Sequence, residues 1–413
     1  MRVGHGVAPI PVPNGSPLGG YLDRDGRSNG TADPLEAHVV TVTDGRRRFA
    51  MVVLDLVCVN VDLSDAVQHA LAGLGVDEAW VCATHTHSGP ETGCQPRGTS
   101  TPAPWVEVVT TAARRAALDA LVVEQPGSLT ASAVDVADVA SVRSRPDGAR
   151  PVPVDVVSFV GERGRLDGVL LVLPVHPTVL PASSTVVSAD LAGATRRAMA
   201  ERLATADHAP WVVVATGAAG DISTRGVRRA ADPDECARLG DVVAAAAMTA
   251  VRDAVSEPGA VLTAQADLAL EPGSPVAGAG AAPAPGSRQE ETLRQAWRLR
   301  QAWRLRQSLD EPVGPLLATV RAARIGGVNL IGLPGEPFLD LRTRAAETLR
   351  DENVLLLGYV GGYLGYLPTR EAFAAEPTYE TVVSPVGAGE AERLVDVGVG
   401  LLLLSRLGQN AAS

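Results

Sequence analysis

The sequence predicts an α/β protein with a central mixed or parallel sheet flanked by helices and a site at the strand carboxyl ends. Three observations lead there. Apolar runs of strand length alternate with longer segments of helical periodicity. Polar, chemistry-bearing residues follow five of those runs. The 413-residue chain is 46% hydrophobic and 20% charged, enough apolar material for a large core.

In chain order, the strand-like runs are Phe49–Asn60, Ala79–Thr84, Gly168–Val175, Trp211–Thr216, Val328–Leu333 and Asn353–Val360. Helical patterns cover Val106–Val123, Asp190–Ala204, Asp232–Ser256, Leu339–Arg350 and Glu390–Leu407. Pro272–Gly286 is rich in Gly, Ala and Pro and reads as a loop. It precedes a hexapeptide doublet, Gln295–Arg300 and Gln301–Arg306. Six residues advance a helix by roughly 600°, so Trp297 and Trp303 lie roughly 120° apart. The doublet reads as a duplicated surface helix, a lid or a subunit contact. The whole of 1–413 is expected to be one catalytic domain with a variable insert around 272–312.

Composition excludes several functions. The formal net charge is −11, which disfavours nucleic acid as a partner. All 36 basic residues are arginines, so no Schiff base, pyridoxal phosphate linkage or P-loop lysine is available. The four cysteines, Cys58, Cys82, Cys94 and Cys236, have neither metal-motif nor disulfide-framework spacing. Cys58 and Cys82 read as small core residues in apolar strands. No run of eighteen apolar residues occurs, and Met1–Gly6 lacks an apolar leader segment. A cytoplasmic protein without stable membrane association is expected; assembly as a homo-oligomer is compatible with the sequence.

The segments that follow the strands carry the chemistry. Thr84-His85-Thr86-His87-Ser88-Gly89-Pro90 follows the second. Alternate residues of an extended segment share a face, so His85 and His87 project together, as metal ligands or as one ligand and one acid/base group. His176-Pro177-Thr178 follows the third run, Gly220-Asp221-Ile222-Ser223 the fourth, Pro334-Gly335-Glu336 the fifth and Gly361–Tyr366 the sixth. Groups delivered from several strand ends suit one pre-organised site.

Taken together, these blocks resemble the catalytic domain of the neutral/alkaline ceramidase family over nearly the whole chain. The matching elements are Thr84–Pro90, His176–Thr178 with Ser188-Ala189-Asp190, Gly220–Ser223, Pro334–Glu336, and Gly365-Tyr366 through Tyr379-Glu380. The resemblance implies one Zn²⁺ per chain, held by His85, His176, Glu336 and Tyr366. His87 would lie beside the metal as an acid/base or hydrogen-bonding residue. Ser223 would contact substrate or the attacking group, and Tyr379 would polarise the carbonyl. The family's arginine falls on Arg143 or Arg145, with Arg143 favoured. Asp55, Asp190 and Asp221 are candidates for orienting the histidines.

No secretion signal and no C-terminal immunoglobulin-like domain, both typical of the ceramidases, are expected from this sequence. Aromatic residues make up only 3%, little to anchor a lipid surface. The expected activity is therefore zinc-dependent hydrolysis of a linear N-acyl amide of a soluble small molecule by metal-activated water. Ester or lactone hydrolysis and acyl transfer at the same site, in specialised metabolism, are the alternative. A binding protein without catalysis is the third reading.

Overall fold

In the computed structural model the same sequence of elements occurs three times. The structure describes residues 1–94, 100–144, 148–252, 259–273, 286–310 and 316–410. The first unit comprises β1 (Arg2–Ile10), β2 (Leu35–Thr43), β3 (Arg48–Leu54), α1 (Val61–Ala72), β4 (Glu78–Ala83) and α2 (Trp105–Val122). The second comprises β5 (Gln125–Val136), the short β6 (Ser141–Val142), β7 (Val152–Gly161), β8 (Leu166–Leu173), α3 (Asp190–Leu203), β9 (Trp211–Thr216), the short β10 (Ile222–Ser223) and α4 (Pro233–Met248). The third begins with β11 (Val261–Leu270), α5 (Arg288–Asp310), β12 (Leu316–Ile325), β13 (Val328–Gly332) and the short β14 (Glu336–Pro337). It continues through α6 (Leu339–Leu349), β15 (Leu355–Leu357), the short β16 (Tyr366–Leu367), α7 (Arg370–Ala374), α8 (Tyr379–Val383) and α9 (Glu390–Asn410).

Within each unit the first three long strands pair antiparallel, and a helix then crosses over to a fourth strand parallel to the third. Units one and two join edge to edge through β1 and β5 into an eight-stranded sheet, ordered β4-β3-β2-β1-β5-β7-β8-β9. Unit three forms a separate four-stranded sheet, β11-β12-β13-β15. The expected α/β class holds, but the single central sheet is replaced by two. Phe49, Trp80, Phe159, Leu170 and Val213 of the large sheet pack against Ile325, Leu330, Leu355 and Leu357 of the small one. Large aliphatic and aromatic side chains on both inner faces force the two sheets to stack.

Helices cover the outer faces. α1 and α2 lie over the first half of the large sheet, and α3 and α4 over the second. The alanine-rich α2 approaches β1 closely because Gly4 and Gly6 lack side chains; a Cβ at either would strike the Ala120 or Ala116 carbonyl. α6 and α9 pack on each other, and α9 covers the small sheet.

The five expected helices, α2, α3, α4, α6 and α9, start within one residue of their expected positions, whereas α1, α7 and α8 have no counterpart among the expected patterns. The pattern Asp232–Ser256 ends at Met248 as α4, and residues 253–258 lie outside the described chain. The run Phe49–Asn60 is strand only to Leu54; Cys58 is buried in the turn beyond it. The expected loop Pro272–Gly286 is described only at its ends. None of the described helices is long and apolar enough to cross a membrane.

Away from the site, a buried ion pair on α6 and β7 joins units two and three. Arg342 on α6 donates to both carboxylate oxygens of Asp155 on β7, and to the Glu352 carbonyl at 2.8 Å. Burial pushes the Asp155 carboxyl up to about 6 even beside this arginine. Removing one partner of such a pair strands a desolvated charge. Arg342→Met is therefore expected to lower unfolding stability by about 3–5 kcal/mol at pH 8. A raised folded pKa means that stability falls as pH rises, so the loss should shrink at pH 5, where lone Asp155 takes up a proton. Urea unfolding at the two pH values checks this; a loss below about 1 kcal/mol, or one that grows on acidification, contradicts it.

Candidate active site

The large sheet curls until its two edge strands meet. Beyond their carboxyl ends, the Thr216 hydroxyl of β9 donates to the Thr84 carbonyl at 2.7 Å. The small sheet closes the junction: Gly358 N–H donates to the Thr216 carbonyl at 3.1 Å, and Gly361 N–H to the Val81 carbonyl at 2.8 Å. All three units thus end their parallel strands at one place.

His85 leaves β4 with φ 63°, a left-handed conformation costly for a side-chain-bearing residue. Its ring stacks on Tyr359, which also has positive φ (59°), with centroids 4.3 Å apart. His176 follows β8; its backbone bridges Ser223, and its N–H donates to the Ile222 carbonyl at 3.0 Å. Glu336 on β14 pairs directly with Tyr366 on β16. The sequence carries an echo of this construction. Leu173-Pro174-Val175-His176-Pro177 and Leu333-Pro334-Gly335-Glu336-Pro337 occupy equivalent places in units two and three. Counting equally from Leu54 in unit one reaches Val57, whose carbonyl contacts His85 Nδ1 at 2.5 Å.

The side chains converge. His85 Nε2 lies 3.0 Å from His176 Nε2 and 3.1 Å from His87 Nε2. Glu336 Oε2 is 3.6 Å from His85 Nε2 and 3.7 Å from His176 Nδ1. All four residues are buried. Arg143 NH1 donates to the Tyr366 hydroxyl at 2.9 Å and lies 3.2 Å from His176 Nδ1; its Nε is 3.3 Å from Glu380 Oε1. Tyr379 stands edge-on to Tyr366, centroids 6.1 Å apart. Ser223 Oγ accepts from Arg225 N–H at 3.4 Å and caps a short turn, while its backbone supports His176. Arg145 lies outside the described residues.

Electrostatics favour a cation at the convergence. Burial holds His85 down at about 3, and His87 and His176 also well below the usual range, so the imidazoles are neutral. Burial pushes the Glu336 carboxyl up to about 7 despite hydrogen bonds from Tyr363 and Tyr359. Val57 is an acceptor for His85 Nδ1–H, which leaves the Nε2 lone pair facing His176. The Ala219 carbonyl lies 3.3 Å from His176 Nδ1 and the Arg143 NH1 donor 3.2 Å from the same atom, so His176 presents Nε2 toward His85 either as a lone pair or as an N–H according to its tautomer. Two lone pairs 3.0 Å apart beside a buried carboxylate repel unless a proton or a metal ion lies between them. His85, His87 and His176 form a group that could hold a metal ion, and the donor chemistry fits one.

A cavity of ≈ 110 Å³ opens beside this group, room for several waters or a reacting group. His85, His87, Glu336 and Tyr366 form its floor, with Tyr363 and Cys94 alongside. Its walls come from the insertions between the first two long strands of the units. Residues 11–34 supply Tyr21 and Leu22, and α5 supplies Leu299. The corresponding insertion of unit two carries Arg143. Leu299 belongs to the first copy of the hexapeptide doublet, so that copy faces the site. Trp297 packs with Ala296 against the cluster containing Tyr366 and Val383, whereas Trp303's side chain lies outside the described residues.

Tyr359, Tyr363, Tyr21 and Glu380 escaped sequence reasoning. The glycine-tyrosine run Gly358–Tyr366 holds two of them, but only its last tyrosine was singled out. The three aspartates expected to orient histidines do otherwise. Asp55 pairs with Arg196 at 2.8 Å, Asp190 accepts from the Val179 and Leu180 amides, and Asp221 accepts from Leu339 N–H. Main-chain carbonyls take the orienting role.

Gly20 closes over His87. Its φ is 91°, and a Cβ there would lie 2.5 Å from the imidazole Cγ. Gly20→Ala should lower stability by about 1–3 kcal/mol through strain and overpacking. Thermal unfolding and a crystal structure check this; an unmoved His87 ring with unchanged stability contradicts it.

No family model matches this sequence, nor does any curated protein. Solved structures do. A ceramidase complexed with C2 superposes with a TM-score of 0.75 at 20% identity, covering 98% of this chain and 75% of that one. Neutral ceramidase from Pseudomonas aeruginosa gives 0.73 at 19% identity, covering 98% and 74%. The resemblance read from the motifs is thus matched in three dimensions: this chain has the fold of the neutral ceramidase structures.

Proposed function

We propose that the protein is a zinc-dependent amidohydrolase that cleaves a linear N-acyl amide of a soluble small molecule. The observation that carries the reading is the convergence of His85, His176 and Glu336 on one buried point, with Tyr366 beside them in the lining of the cavity. The ceramidase fold supports it, because a ceramidase is by its name an amide hydrolase. Ester or lactone hydrolysis and acyl transfer use the same groups and form the alternative.

Those four residues would hold the ion. Zinc supplies Lewis acidity, activating water near neutral pH and polarising the amide carbonyl. The remaining work falls to the protein. Neutral His87 accepts the proton as a water oxygen bonds to the carbonyl carbon. Arg143, fixed by Glu380, and Tyr379 donate hydrogen bonds to the oxygen as its negative charge develops. His87 then returns the proton to the nitrogen as the carbon–nitrogen bond breaks, releasing a carboxylic acid and an amine. Ser223 acts through the His176 strand and the adjoining turn. Burial of the floor excludes bulk water and strengthens each of these interactions.

A second reading makes His87 the third nitrogen ligand, because its Nε2 lies as near His85 as that of His176 does. Variants separate the two. His85→Ala and Glu336→Ala should each lose the metal and the activity. His87→Ala should keep most of the metal, measured by elemental mass spectrometry, and lose activity by about 10²–10⁴-fold. Loss of zinc from His87→Ala assigns that residue as a ligand. A protein that carries no zinc and gains none on reconstitution overturns the hydrolase reading. Matched amide and ester substrates, followed by product analysis, distinguish amide from ester cleavage.

A further inference from the structure

The hexapeptide doublet has no use in the reaction above, yet its first copy is docked against the site. Leu293, Ala296, Trp297 and Arg300 are spaced three or four residues apart and so share one face of α5. Leu293, Ala296 and Trp297 pack with Tyr366, Val382 and Val383. Arg300 is buried as well, a rare place for a guanidinium, and main-chain carbonyls hold it there. Its NH1 donates to Val382 at 2.5 Å and to Ser384 at 2.9 Å, and its NH2 donates to Gly273, just beyond β11, at 2.6 Å. Charge-assisted bonds of this kind are about twice as strong as neutral ones. The Ser384 hydroxyl donates in turn to the Tyr366 carbonyl at 2.9 Å, which links the clasp to the cavity floor.

Leu299 stands next to this clasp and lines the cavity. With Leu22, Tyr379 and Val383 it makes an apolar stretch of lining beside the polar floor. Glu91 also lines the cavity, but its carboxylate accepts from the Gly93 and Cys94 amides at 2.6 and 3.2 Å. Among the described residues the lining contains no arginine, so this side of the cavity suits an apolar group rather than an anion. α5 runs on through the second copy to Asp310. That copy starts roughly 120° away around the helix axis, so the two copies cannot present the same face. The wall therefore belongs to the first copy.

We propose that the first hexapeptide copy is a fixed gauge of substrate size: Leu299 bounds the space for an apolar group beside the scissile amide, and Arg300 holds Leu299 in place. Leu299 touches the substrate and sets specificity. Arg300 is a positioning residue and touches none of the reacting atoms. The proposal rests on the amidohydrolase reading only for which bond lies over the floor. Short acyl or alkyl groups that fit a cavity of ≈ 110 Å³ belong to the class selected; long unbranched chains do not.

Uncleaved analogues test this without turnover. Two series are titrated by calorimetry into the protein reconstituted with zinc: N-alkanesulfonyl ethanolamines and N-alkyl methanesulfonamides, each with methyl, propyl, pentyl and heptyl chains. In at least one series wild-type affinity should rise with length and then drop about ten-fold or more at the chain that outgrows the cavity. The series with the break shows which side of the amide the wall faces. Leu299→Ala should move the break to a longer chain and Leu299→Phe to a shorter one, with zinc content unchanged. Arg300→Met should nearly erase the break, and Arg300→Lys, which can still donate to the carbonyls, should keep part of it. Affinity that climbs smoothly with length in both series overturns the proposal, as does a break that neither Leu299 variant moves. A break as sharp in Arg300→Met as in the wild type overturns the positioning role; if that variant does not fold, the Leu299 pair and Arg300→Lys decide. A movable break in a protein that hydrolyses no amide would sink the hydrolase reading and leave the gauge standing.

Discussion

A buried meeting of imidazole nitrogens and a carboxyl group governs this structure. Nitrogen atoms of His85 and His176 face each other at 3.0 Å, beside a carboxylate that burial holds up at about 7. Desolvating three imidazoles and a carboxyl group in this geometry is costly, and holding them there needs a stiff scaffold. The scaffold is the junction of β4, β9 and β15, where hydrogen bonds between strand ends lock three polypeptide segments together. His85 and Tyr359 both sit there with positive φ. Strained backbone at a convergence of neutral imidazoles is the pattern expected of a site completed by a cation.

The threefold use of one strand-helix pattern explains how so many groups reach one point. Each unit ends its parallel strands in the same place, and each contributes something different there. Unit one gives His85 and His87, unit two His176, unit three Glu336 and Tyr366. The long insertions between the first two strands then add to the site: Tyr21 and Leu22 from one and Leu299 from another line the cavity, and the insertion of unit two sets Arg143 against Tyr366 and His176. The floor lies on strand ends, which suits geometry that chemistry constrains. The walls lie on insertions, which can change without disturbing the sheets.

Much of the floor was legible in the sequence because its residues follow apolar runs directly. His85, His176, Glu336 and Tyr366 were all found that way, and the structure brings them together. The units themselves were hidden. β1 contains two glycines and a proline, and β5 is polar and half exposed, so neither reads as a strand by apolar content. The glycines in β1 serve helix packing, a reason that only the tertiary structure supplies. Two stacked sheets also could not be read from strand content, since the inner faces are defined by partners far apart in sequence. The orienting groups were not legible for a related reason. Carboxylates such as Asp55 look like histidine partners, but backbone carbonyls do that work and leave no trace in side-chain identity.

The central claim is that one zinc ion occupies the point between His85, His176, Glu336 and Tyr366. An anomalous difference map, from a crystal of the protein purified without chelator and recorded on both sides of the zinc edge, tests it most directly. The account predicts a single zinc peak per chain, about 2.0–2.2 Å from the two imidazole nitrogens and the Glu336 oxygen. Density for a hydrogen-bonded water, with no anomalous signal even after soaking in zinc, would contradict it.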